Sequence, residues 1–115
     1  MAILKTKLKN QLQKHGEFEY CLSNIVVNGR KLGCSGFVRN PETGLVVYVN
    51  TEKPVLSSLK PTMVRYANVL QENETFEKCK FDYGIKSRNI FCNENELVPM
   101  ITKMLSNTHC KELAS

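Results

Sequence analysis

The chain has 115 residues, 42% hydrophobic and 23% charged, with a formal net charge of +5. That composition belongs to an ordinary globular domain and excludes a disordered chain, while the longest apolar run, Leu45 to Val49, is too short to span a bilayer. Four of the five net positive charges fall in residues 1–16, as Lys5, Lys7, Lys9 and Lys14 with no acid among them, so the body is nearly neutral and the basic character is an amino-terminal feature.

Ile3, Leu4, Leu8 and Leu12 fall on one helical stripe with lysines between them and Gly16 after them, which predicts an amphipathic helix over residues 3–15. From Phe18 to Val27 the chain turns aromatic and β-branched, and Asn28-Gly29 is the preferred pair for a two-residue hairpin, so a strand, a tight turn and a return strand through Val38 are expected. Asn40-Pro41-Glu42-Thr43-Gly44 is a second turn, leading into a third strand over Leu45 to Asn50.

Side-chain alternation places Leu32, Cys34, Gly36 and Val38 with Leu45, Val47 and Val49 on one face, and Lys31, Ser35, Phe37, Arg39, Val46 and Tyr48 on the other. That second face is not fully polar. Thr62 to Asn68 fits a fourth strand, although Met63, Tyr66, Ala67 and Leu70 also fit a helical stripe; Gln71 to Lys80 reads as a surface loop or a short helical turn, and Ile90-Phe91-Cys92 as a last short strand. Leu97, Met100, Ile101, Met104 and Leu105 follow a buried helical stripe that Asn93 or Asn95 can cap; Pro99 argues for a start close to Glu96.

The expected architecture is a single α+β domain over 1–115. A basic amphipathic helix occupies 1–16, sheet and loops 17–93, a second helix 94–107 and a tail 108–115. The antiparallel sheet has about four strands, with both helices packed on one face.

Cys21 and Cys34 share their spacing with Cys79 and Cys92, and His109-Cys110 adds further zinc-type ligands. No two ligands lie two to four residues apart, however, which is what fixes half a zinc tetrahedron locally. Five cysteines with no Cys-x-x-Cys pair read as free, packed thiols, and the Lys-rich start differs from a secretory signal, so a reducing bacterial cytoplasm is expected. Thiol catalysis would need a base beside the nucleophile, and His15 and His109 sit in a helix end and a tail. A metal-dependent nuclease needs clustered carboxylates, but Asp82 is the single aspartate and the glutamates closest together in sequence are i, i+2 pairs such as Glu17 and Glu19, Glu72 and Glu74, and Glu94 and Glu96. The glycines form no phosphate-binding loop. The sequence therefore points away from an enzyme and from any cofactor.

Two basic features remain as candidate partner or nucleic-acid surfaces. One is the helix bearing Lys5, Lys7, Lys9 and Lys14. The other is the segment with Lys78, Lys80, Lys86 and Arg88 interleaved with Phe81, Tyr83 and Phe91. Such interleaving can track a phosphate backbone and stack bases. Its regular alternation also fits a strand with aromatics inward and cations outward.

Residues Ser35 to Glu52, then Val64-Arg65-Tyr66-Ala67 and Asn89-Ile90-Phe91-Cys92, resemble small proteins carried on plasmids, phages and conjugative elements of Gram-positive bacteria. The resemblance covers 35–92 in patches and rests on a hairpin and two strand segments. It implies a mobile-element passenger, a class that includes anti-CRISPR and other counter-defence proteins, and it transfers no site residues. The expected function is thus a stoichiometric inhibitor of a host defence nucleoprotein complex. Its partner would be a host protein or ribonucleoprotein, with a CRISPR effector nuclease or its guide RNA as the sharpest expectation. The alternative is a small basic nucleic-acid-binding protein.

Overall fold

The computed structural model describes residues 3–52, 62–67, 70, 74–76 and 89–106. In chain order the elements are α1 (Lys5–Gln13), β1 (Glu19–Val27), β2 (Arg30–Arg39), β3 (Val46–Asn50), β4 (Thr62–Tyr66), β5 (Ile90–Cys92) and α2 (Glu94–Ser106). The strands form one antiparallel sheet in the order β1-β2-β3-β4-β5, each paired with its sequence neighbour. The fold is α+β, as expected, with five strands rather than about four. The fifth is the short Ile90–Cys92 segment, which pairs with β4 through Thr62 opposite Cys92.

Turn chemistry sets the first two hairpins. Asn28 and Gly29 take φ of 52° and 75°, the two positive values that a right-twisted two-residue hairpin requires. In the second turn the Glu42 amide donates to Asn40 Oδ1 at 3.0 Å and the Gly44 amide to the Asn40 carbonyl at 2.8 Å. Asn40 Nδ2 also donates to the carbonyl of Leu105 at 2.9 Å, so this turn caps the far end of α2.

Both helices cover the face formed by Tyr20, Leu22, Cys34, Val38, Val47, Val49, Val64 and Cys92. Leu8 and Leu12 of α1 and Leu97, Ile101 and Leu105 of α2 are fully buried against it. Each such side chain contributes about 1.5–3 kcal/mol through burial. The stretch before α1 is tied down by Thr51: its hydroxyl donates to the Ile3 carbonyl at 2.7 Å and accepts from the Cys34 amide at 2.8 Å. Thr51→Val keeps the shape but strands both backbone groups in a buried site. The expected cost is about 2–4 kcal/mol, read by urea denaturation, with faster hydrogen exchange in α1 than in α2.

Helix α2 runs Glu94–Ser106, within the expected span 94–107, and Pro99, which argued for a start close to Glu96, lies in its second turn. The missing proline amide leaves the carbonyl of Asn95 unbonded within the helix, and Asn95 is exposed, so water can satisfy it. The start is set by Asn93, whose amide donates to Glu96 Oε1 at 3.0 Å while the Glu96 amide donates to the Asn93 carbonyl. Helix α1 is also shorter than expected, at Lys5–Gln13.

The opposite face carries a second, smaller core. Phe37 and Val46 are buried there with Leu70, and Phe76 stacks on Phe37 with ring centroids 6.3 Å apart. Arg39 crosses this layer, pairing with Glu19 and donating to the Leu70 carbonyl at 3.2 Å. Leu70 and Phe76 therefore cap the apolar positions that alternation placed on this face, so the Gln71 to Lys80 stretch is anchored by the partly buried Phe76 and preceded by the buried Leu70. Among the described residues no helix is long and apolar enough to cross a membrane.

Candidate functional site

The four amino-terminal lysines do not form one patch. At about 100° per residue, Lys5 and Lys9 lie one turn apart beside the buried Leu8–Leu12 stripe, whereas Lys7 and Lys14 lie on the far, exposed side of α1. Lys5 and Lys9 enter a groove of about 390 Å³ between α1 and β1, lined also by Thr6, Asn10, Gln13 and Tyr20. The Lys9 ammonium sits 5.5 Å from the centre of the Tyr20 ring, and the Lys5 amide donates to Asn24 Oδ1 at 2.9 Å. These two contacts run α1 along β1 in the opposite chain direction.

Nothing in helix energetics asks for lysine here. The first turn of α1 contains no acid, and Leu4 at its start offers no side-chain cap. Cations at the positive end of a helix dipole are unfavourable by a few tenths of a kcal/mol each. Among the described residues no carboxylate forms an ion pair with Lys5 or Lys9. Lys5, kept at the helix start against the dipole, and Lys9, one turn on over an aromatic ring, stand together beside a groove and are suited to receiving an anion.

Tyr20 is the residue that reading the sequence did not single out. Its signal was weak, since its partner in space depends on the direction in which α1 lies across the sheet. The hydroxyl is buried with no hydrogen-bond partner among the described residues, and burial pushes its pKa up. Tyr20→Phe removes the orphaned hydroxyl and keeps the ring under Lys9, so thermal denaturation is expected to show equal or higher stability, by up to about 1 kcal/mol. Above about pH 10 the unfolded phenol ionises before the folded one, so the wild-type chain loses stability as pH rises and the Phe variant is spared that part of the decline.

A wider cleft of about 760 Å³ lies between the α1–β1 connection, the Asn40–Gly44 turn and α2. Its charged side chains, Glu17, Glu42 and Lys103, with His15 beside them, are of mixed sign and favour no single ligand charge. The second basic segment, with Lys78, Lys80, Lys86 and Arg88, lies outside the described residues, as do Phe81 and Tyr83. Its last aromatic, Phe91, is 48% exposed and sits opposite Met63 on the sheet face away from the helices, not turned into the main core.

The shared cysteine spacing does not gather ligands. Cys21 lies opposite Phe37 on the second face, and Cys34 is buried on the helix face, so one ion cannot reach both. Burial pushes the Cys34 thiol pKa up, although its hydrogen bond with Thr51 opposes the shift. Among the described residues, no group of three or more His, Cys, Asp and Glu side chains comes together. Cys79, His109 and Cys110 lie outside those residues.

No protein-family model matches this chain, and neither does any curated protein or solved structure.

Proposed function

We propose that this chain is a non-enzymatic interaction protein that binds an anionic surface of a host defence nucleoprotein complex and inhibits it stoichiometrically. The observation that carries the charge of the partner is the α1–β1 groove, where Lys9 lies over Tyr20 and Lys5 lies one turn away. The kind of partner comes from the resemblance of residues 35–92 to mobile-element proteins, among which counter-defence inhibitors occur. A basic chain of this size suits an inhibitor that engages guide RNA or an acidic protein surface, since a standard interface needs only about 800 Å² per partner and this chain exposes 7439 Å².

The test is a cleavage assay. Purified protein mixed with CRISPR effector nucleases is expected to block target-DNA cleavage at near-equimolar ratio with one of them; unaffected cleavage by several effectors at large excess discards the reading. The same cation-over-ring geometry also suits a small nucleic-acid-binding protein. That reading expects binding to bare RNA or DNA with a steep loss of affinity as salt rises, because each phosphate contact releases counterions.

A further inference from the structure

Strand β1 is an edge of the sheet, and among the described residues it pairs with β2 alone. Edge strands are usually blunted by lysine, proline or short length. Here the edge is nine residues long, without proline, and Glu19 is its sole charge. The irregularity at Ile25/Val26 shifts the register with β2, which leaves Glu19 to Ile25 as the part of the edge in unbroken register.

Helix α1 flanks that edge. A strand added outside β1 would turn every second side chain toward the helix layer, beside Lys5 and Lys9 in the groove. Side chains two apart on a strand are separated by about 6.7 Å, and Lys5 and Lys9 by about 6 Å along the helix axis, so the two repeats match. The edge also distinguishes between anionic partners. It presents both N–H donors and C=O acceptors, which a peptide backbone complements in alternation and a phosphate backbone, an acceptor only, does not.

We infer that the β1 edge takes up an extended acidic segment of a protein partner as an added strand, with carboxylates at alternate positions facing Lys5 and Lys9. This rests on the reading of an anionic partner given above and names the part of it that is touched. Charge complementarity selects the occupant: the groove contributes two cations, and α1 carries no acid to neutralise them.

The probes are a capped synthetic peptide of about the length of β1 in which Glu alternates with Thr, the same peptide with Lys for Glu, and an oligouridylate of similar length. Titrated into the isotope-labelled full chain, the Glu/Thr peptide is expected to shift the amide signals of Lys5, Lys9 and Glu19 to Ile25, and to slow hydrogen exchange within Glu19–Ile25 by about tenfold or more. In the double variant Lys5→Glu, Lys9→Glu the preference should reverse toward the Lys/Thr peptide. No response to millimolar Glu/Thr peptide overturns the inference. So does a response in α1 without protection of β1, or equal protection by the oligouridylate. If the double variant loses inhibition in the cleavage assay while the peptide has no effect on the wild type, the anionic-partner reading stands and the added strand falls. If the double variant inhibits normally, both fall.

Discussion

Gly36→Ala is expected to destabilise the protein by about 3 kcal/mol or more, enough to lower the thermal midpoint by at least about 10 °C. A Cβ at this position would stand 2.0 Å from the carbonyl oxygen of Cys21 and 2.9 Å from the Cα of Leu22, both backbone atoms of the neighbouring strand. A side chain's far end could rotate away, but a paired backbone can yield only by moving β1 off β2. The φ of +144° adds conformational strain for any residue with a Cβ. Because Gly36 is registered with Leu22 on one side and Val49 on the other, the displacement would reach the strand that carries Tyr20 and would open the α1 groove as well. Gly29→Ala is the control: its φ of +75° is also one that alanine rarely adopts, but nothing lies within 4 Å of the added carbon. Its cost should be about 1 kcal/mol. Urea and thermal denaturation of the two variants separate packing from backbone strain, and equal losses would refute the close-approach explanation.

The double variant Lys5→Glu, Lys9→Glu is expected to reduce inhibition of the target complex by about 100-fold or more, equivalent to about 2.7 kcal/mol of binding free energy. Reversal places two negative charges where the groove would receive an anion, so attraction becomes repulsion. Folding should tolerate the change. The acid at position 5, in the first turn of α1, improves the interaction with the helix dipole, which offsets part of the loss of the Lys9 contact with Tyr20, worth about 0.5–1 kcal/mol. Denaturation midpoints near wild type together with lost inhibition would mark the lysines as binding residues. Lys7→Glu with Lys14→Glu, on the opposite side of the helix, should have a much smaller effect in the same assay. An equal effect would show that overall charge, not the groove, drives binding.

Much of the fold was legible in local chemistry. The Leu8 and Leu12 spacing marked α1, Asn28-Gly29 marked the first hairpin, and Leu97, Ile101 and Leu105 marked α2, because helical period and positive-φ turns are properties of a few adjacent residues. The start of α2 follows the Asn93–Glu96 capping pair, not Pro99, because an exposed Asn95 carbonyl makes the proline tolerable in the second turn. The candidate site was half legible. Its lysines stood out as the main concentration of charge, but which of them work together did not.

What the sequence determined by itself is the amphipathic helices, the alternation along the strands, the hairpin turns and the basic amino terminus, all of them set by the intrinsic preferences of neighbouring residues. Tertiary structure decided the rest. The docking direction of α1 divides Lys5 and Lys9 from Lys7 and Lys14 and brings Tyr20 beneath Lys9, strand register sends Cys21 and Cys34 to opposite faces, and Leu70 and Phe76 close the second core over Phe37. Those pairings join residues far apart in the chain. They follow from how whole apolar faces bury one another, which no local spacing encodes.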